Sequence, residues 1–135
     1  MKPVNGLLFY LSGQKDIAEY AAGRAEPSFH DQIEFVDGVT GGAIRCDGTQ
    51  TLAWCAKENI YAQRGTLGFF WRSVLPLGPT EFPLFRVGVN DNSTWDQIWL
   101  RIDWAGDGIE ALITDINLSR ARVRFPVNPR GHRAR

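Results

Sequence analysis

From residue 32 onward, apolar and polar residues alternate in short runs, and this period of two is typical of β-strands with one buried face. The clearest run covers residues 97–104, where Trp99, Arg101 and Asp103 fall on one face and apolar residues on the other. The pattern predicts strands at residues 32–36, 43–46, 51–55, 65–74, 84–89, 97–104, 109–116 and 120–125. Such short strands with turn residues between them predict an all-β, antiparallel β-sandwich, in one domain over residues 1–125.

Two predicted turns each join a pair of neighbouring strands. Residues 105–108, Ala-Gly-Asp-Gly, predict a tight return between strands 97–104 and 109–116. Residues 47–50 predict a hairpin that joins strands 43–46 and 51–55. In that hairpin Cys46 and Cys55 would lie about 13 Å apart at ~3.3 Å per residue, too far for a disulfide. We therefore expect two small buried thiols, without a metal, since neither histidine has ligand spacing to them.

The chain before residue 32 carries a weaker signal. Asp16 is a good helix cap and Glu19 stands at the capping-box position, so residues 16–24 could form a helix. Gly23 limits that helix to about two turns. An irregular loop is an equal alternative. Residues 75–83 contain three prolines and predict a loop.

Charge is unevenly distributed along a chain whose formal net charge is zero. Residues 1–115 carry −6 and residues 116–135 carry +6. The acidic body argues against nucleic acid as the main partner. The basic end, residues 126–135, is predicted to be a disordered, solvated tail and not a nucleic-acid arm, since aromatic residues for stacking are nearly absent from it.

No apolar run approaches the ~18 residues needed to span a membrane, so no membrane association is expected. The apolar patch at residues 6–11, GLLFYL, is too short for a signal peptide. If the natural protein is exported, its signal lies outside this sequence.

Two motifs resemble a known superfamily. Residues 43–48, AIRCDG, are similar to the "ALRFDG" hairpin, and residues 65–72, GTLGFFWR, are similar to the "GT[IL]SFW[VF][KR]" strand, of laminin-G-like and concanavalin A-like lectin/glucanase domains. The resemblance covers residues 6–125 and implies a jelly roll, with a secreted or cell-surface location. The family's "WHHVA" strand and following "DG" hairpin have no clear counterpart here. The jelly roll is therefore expected to be incomplete at its C-terminal end, or completed by a partner chain.

The resemblance implies a carbohydrate-binding surface. Within residues 65–74, Leu67, Phe69 and Trp71 would point between the sheets, leaving Phe70 and Arg72 on the concave face. Trp99, Arg101 and Asp103 form a second such stripe. Aromatic rings stack on sugars and arginine donates paired hydrogen bonds to hydroxyl or carboxylate groups. The alternative is that these side chains pack against one another or against a missing loop, without binding a ligand.

Metal and catalytic chemistry have little support. Asn90, Asp91, Asn92 and Asp96 supply oxygen ligands that suit calcium, yet the same residues make ordinary turns. No other cofactor is indicated. The E-x-D-x-E strand of the related glucanases is missing, so we expect no enzyme activity.

These observations predict a non-catalytic, lectin-like module that binds carbohydrate. The alternatives are a structural protein–protein module without glycan binding, or a fragment of a larger polysaccharide-active protein. Because the jelly roll is expected to lack strands, unpaired sheet edges predict a dimer or a larger assembly. Arg120, Arg122 and Arg124 would oppose one another if two last strands paired, so pairing through another edge or with an acidic surface is favoured.

Overall fold

The computed structural model describes residues 5–48, 52–61, 64–88, 98–115, 117 and 119–127. Over these residues the chain forms β-strands, turns, bends and irregular segments without a helix, and every strand pair is antiparallel. The strands are β1 (Phe9–Tyr10), β2 (Tyr20–Ala21), β3 (Phe29–His30), β4 (Glu34–Gly38), β5 (Gly41–Arg45), β6 (Leu52–Ala53), β7 (Phe82–Gly88), β8 (Ile98–Trp104), β9 (Gly108–Thr114) and β10 (Arg120–Pro126). The prediction of an all-β, antiparallel protein is confirmed.

The chain divides into two compact units, Met1–Phe70 and Trp71–Arg135, which are described separately as the N-terminal and C-terminal units. The single sandwich domain at residues 1–125 stays a prediction.

The described residues of the N-terminal unit form three small two-stranded sheets, β1–β2, β3–β6 and β4–β5. The β4–β5 hairpin pairs Glu34 with Arg45 at its open end and Gly38 with Gly41 at the turn. Glycine is required at this turn, because Gly41 has a φ of +129° and a side chain on Gly42 would lie 2.8 Å from the backbone of Gln14. The hairpin therefore closes against the preceding loop.

The predicted hairpin between residues 43–46 and 51–55 is wrong. Strand β5 pairs with β4 on its N-terminal side, and β6 pairs with β3. The glycine-rich segment before β5 supplies a closer turn than the Asp-Gly sequence that follows it. Cys46 and Cys55 are exposed free thiols, so the expectation that they are buried is also wrong.

Two further predictions fail in this unit and at its boundary. Residues 16–24 form bends and strand β2, so the irregular alternative is the correct one and the helix is not. Residues 65–74 form no strand, and Leu67 and Phe69 are exposed instead of pointing between sheets. Among the described residues this segment pairs with no strand, so nothing fixes an alternation of buried and exposed side chains along it.

The C-terminal unit contains a four-stranded sheet in the order β10-β9-β8-β7. At the predicted turn the N–H of Ala105 donates to Gly108 O at 2.8 Å, and Gly106 has a φ of +86°. Strands β8, β9 and β10 lie where the sequence predicts them, within a residue or two at each end. Strand β7 begins at Phe82, earlier than predicted, and accommodates Pro83 because it is an edge strand.

Trp104 anchors the apolar face of this sheet. Its side chain is 1% exposed, and its indole N–H donates to Gly78 O at 2.8 Å. The ring lies beside Trp71, with 6.3 Å between the centroids, and Phe82 is its cross-strand neighbour. One side chain thus fixes both the loop before β7 and the end of β8.

We predict that Trp104→Ala lowers the free energy of unfolding of the C-terminal unit by about 3–5 kcal/mol, because it empties a packed site and leaves Gly78 O without its donor. Urea titration followed by circular dichroism measures this. Phe125→Ala is the matched control: that ring is 60% exposed, and its loss should cost less than about 1 kcal/mol. Equal effects of the two substitutions would contradict the assigned core.

Candidate functional site

The face of the four-stranded sheet that lies opposite Trp104 is polar. The pairing register of the strands shows which residues belong to it. Arg86 of β7 pairs with Arg101 of β8, which pairs with Leu112 of β9, which pairs with Arg122 of β10. Directly opposed residues share one face of a sheet, and so do alternate residues of a strand. This polar face therefore comprises Arg86, Trp99, Arg101, Asp103, Glu110, Leu112, Thr114, Arg120, Arg122 and Arg124.

An ion pair lies at the centre of the polar face. Arg101 Nε donates to Asp103 Oδ2 at 2.8 Å, and its Nη2 donates to the same oxygen. The two side chains are only 12% and 10% exposed. Asp103 Oδ1 is also buried, and it accepts no hydrogen bond from the described residues. Because an unpaired buried charge is costly, this pair requires both partners.

Arginines surround this centre. Arg122 lies 3.4 Å from Glu110, and Arg124 donates to the carboxylate of Asp107 in the adjoining turn. That hydrogen bond, and then the charge of Asp107, raise the pKa of Arg124. Within the described part of the chain, Arg86 and Arg120 form no ion pair. Five arginines against two carboxylates give the polar face a positive charge.

The predicted site residues belong to both units, with Phe70 in the N-terminal unit and the others in the C-terminal unit. Trp99, Arg101 and Asp103 do share a face, with Trp99 half-buried. Phe70 is 80% exposed in the N-terminal unit, and Arg72 is exposed in the C-terminal unit. Since residues 65–74 are irregular, these two do not form the stripe of a strand.

The suggested calcium ligands lie outside the described residues; they are Asn90, Asp91, Asn92 and Asp96. In the parts of the chain that are described, no group of three or more histidine, cysteine or acidic residues could hold a metal ion.

Glu110 is a residue of the polar face that the sequence analysis did not single out. It lies in β9, directly opposite Asp103. The pairing of Asp103 with Glu110 can be predicted from the sequence, by counting one residue at a time outward from the turn at residues 105–108. Two carboxylates therefore meet on the polar face, although each is engaged by an arginine. A glycosidase instead requires one of its two carboxyl groups in the acid form to protonate the leaving group.

The N-terminal unit holds weaker candidates. His30 Nδ1 lies 3.8 Å from the Asp16 carboxylate, beside a shallow, open depression. The Cys46 thiol is exposed, yet partial loss of hydration around its sulfur and the charge of Asp47 raise its pKa. A raised pKa leaves less of the nucleophilic thiolate at neutral pH. Asn59 has a structural role: it accepts from Gly23 N–H and donates to the carbonyls of Arg24 and Cys55.

Glu19 is likewise held locally. Burial opposes its ionisation, yet hydrogen bonds from the Ser12 hydroxyl and backbone N–H are together stronger and lower the pKa of Glu19. This contact ties residue 12 to the start of β2, and it makes no open site.

Comparison with protein-family models, with curated proteins and with solved structures finds no match to this chain. No helix in the described ranges is long and apolar enough to cross a membrane.

We predict that Asp103→Ala lowers the free energy of unfolding by about 3 kcal/mol, because it removes the carboxylate to which the buried Arg101 guanidinium donates. The double variant Arg101→Met/Asp103→Leu should recover most of that loss, since it replaces the ion pair with apolar groups. Urea titration of the wild type and both variants measures the difference. A double variant less stable than Asp103→Ala would show that the pair contributes net stability, contrary to this account.

Proposed function

We propose that the protein is a non-catalytic, lectin-like module whose polar face binds an anionic carbohydrate. The observation that carries this proposal is the presence of Trp99 on the same face as five arginines. An aromatic ring can stack on the C–H face of a sugar, and arginine pairs with carboxylate or sulfate groups through parallel hydrogen bonds.

The charge balance of the face supports an acidic glycan over a neutral one. Arg86 and Arg120 are exposed and form no ion pair among the described residues, so they are the arginines most available to a ligand. Arg101 and Asp103 are nearly buried and bonded to each other. Their part is to hold the centre of the face in a fixed geometry, while the outer residues contact the sugar.

Nucleic acid also carries negative charge, but the face suits it less well. Single-stranded nucleic acid is bound through successive aromatic platforms, and the polar face has one tryptophan. The carboxylate of Glu110 also lies among the arginines, and as a hydrogen-bond acceptor it suits a ligand rich in hydroxyl groups better than a run of phosphodiesters. A glycan with both hydroxyl and carboxylate groups fits mixed donors and acceptors better.

We also propose that the chain adopts the specific jelly-roll form of an antiparallel β-sandwich. An antiparallel, all-β chain agrees with the jelly roll of concanavalin A-like and laminin-G-like domains. The support from residues 43–48 and 65–72 is a resemblance of sequence alone, because these segments do not form the hairpin and the strand that the motifs have in those domains. In such domains carbohydrate binding and enzyme activity occur on the same architecture, so the fold alone does not decide between them.

A structural protein–protein module is the second candidate function. The observation that favours it is the amount of exposed apolar surface: three apolar side chains are buried among the described residues, whereas sixteen large ones are exposed. A chain that leaves so many large apolar side chains exposed can bury them against a partner protein.

The glycan proposal predicts binding to uronate- or sulfate-bearing polysaccharides on a glycan array, with little binding to neutral ones. Trp99→Ala should weaken the affinity at least about tenfold, or 1.4 kcal/mol, in calorimetric titration of the best array ligand. Arg86→Gln/Arg120→Gln should remove most of the salt dependence.

The matched control is Phe29→Ala, which removes an exposed ring of the N-terminal unit and should leave the affinity unchanged. Phe70→Ala tests separately whether that exposed ring contributes to binding. No array ligand at all, or tighter binding to single-stranded DNA than to any glycan, would refute the proposal.

A further inference from the structure

The two edges of the four-stranded sheet differ in how open they are. Edge strand β7 contains Pro83 and two register irregularities, near Pro83 and near Gly88, and such features block the addition of another strand. Edge strand β10 pairs with β9 over seven consecutive residues without a break, and every residue of β10 is exposed. The regular, accessible edge is therefore β10.

Hydrogen bonding decides which backbone groups of β10 face outward. The N–H of Asp115 donates to Ser119 O, and the N–H of Val127 donates to Asp107 O. In an antiparallel pair, alternate residues direct both their N–H and their C=O to the same neighbour. With the observed register, Ala121, Val123 and Phe125 therefore bond to β9, whereas Arg120, Arg122, Arg124 and Pro126 direct their backbone groups away from the sheet.

The outward-facing residues also carry the charge. A strand added at this edge would lie with alternate side chains opposite Arg120, Arg122 and Arg124 on the polar face. Its other side chains would lie on the apolar face, beside the exposed Val123 and Phe125. The edge therefore favours a partner strand that has acidic side chains on one face and apolar side chains on the other.

A second copy of β10 does not satisfy these conditions. An antiparallel copy that uses the outward backbone groups must place even-numbered residues opposite even-numbered residues, and these are arginines or Pro126. Any register with substantial overlap sets arginine against arginine, which is unfavourable for directly opposed residues. The same charges protect this edge from homotypic pairing.

We infer that β10 binds an extended segment of another protein in which acidic and apolar residues alternate, by addition of a fifth strand to the sheet. Acidic side chains complement Arg120, Arg122 and Arg124, and the apolar ones cover Val123 and Phe125. Arg122 and Arg124 also contact Glu110 and Asp107, but their side chains remain 62% and 49% exposed and so accessible to a further carboxylate. Main-chain hydrogen bonds supply affinity in this mode, and alternate side chains supply specificity. Pro126 has no N–H and limits the outward donors to the three arginines.

The test uses a fluorescent peptide of alternating glutamate and valine, and a matched peptide with lysine in place of glutamate, in anisotropy titrations with the full chain. We expect the glutamate peptide to bind, and the binding to weaken in high salt. The lysine peptide should not bind. Failure of the glutamate peptide, or equal binding of the two, would overturn the inference.

Backbone variants separate strand addition from simple charge attraction. Arg122→Pro removes one outward N–H without cutting a β9–β10 hydrogen bond, and should weaken binding at least about tenfold. Arg122→Ala keeps that N–H and should weaken it less. Pro126→Ala adds an outward donor and should tighten binding, so it keeps the test decisive if Arg122→Pro unfolds. Equal affinities of Arg122→Pro and Arg122→Ala, with no gain from Pro126→Ala, would contradict strand addition.

Sedimentation equilibrium of the free chain measures whether β10 pairs with a second copy of itself. Self-association that Arg122→Pro abolishes would identify a second copy as the occupant of the edge and would overturn the inference.

Discussion

The burial of Trp104 is the constraint on which the C-terminal unit depends. Its indole N–H bonds to Gly78 O, and its ring contacts an aromatic group that includes Trp71. This contact places residues 71–78 against one end of β8 and covers that end of the apolar face. Since alternate residues of a strand point to opposite faces, burial of Trp104 also fixes Trp99, Arg101 and Asp103 on the other side.

The burial of Trp104 determines which residues lie on each face of the sheet, and the register between β9 and β10 determines which backbone groups lie at the open edge. With the apolar face assigned, register carries Glu110 and the three arginines of β10 onto the polar face. The Arg101–Asp103 pair occupies the centre, and the excess arginines lie toward the edges. The same β10 residues therefore contribute to two proposed surfaces, through their side chains for an anionic glycan and through their backbone groups for an added strand.

Local sequence predicted β8, β9, β10 and the turn at residues 105–108, because these strands are neighbours in sequence and each alternates clearly. The hairpin at residues 43–46 failed because two turns competed for β5, and the glycine-rich turn before it prevailed over Asp47-Gly48. Strands β3 and β6 pair across more than twenty residues, and short strands that pair at such distances leave little local pattern. For the candidate site, the stripe of β8 was predictable, whereas Glu110 required the register across the turn.

Backbone amide hydrogen exchange in β10, followed by nuclear magnetic resonance, is the most direct test of the open edge. The N–H groups of Ala121, Val123 and Phe125 should exchange slowly because they bond to β9, and those of Arg120, Arg122 and Arg124 should exchange fast because they face solvent. Slow exchange at all six residues would show that the edge is already covered. Fast exchange at all six would show that β10 does not pair with β9, and either result would contradict this account.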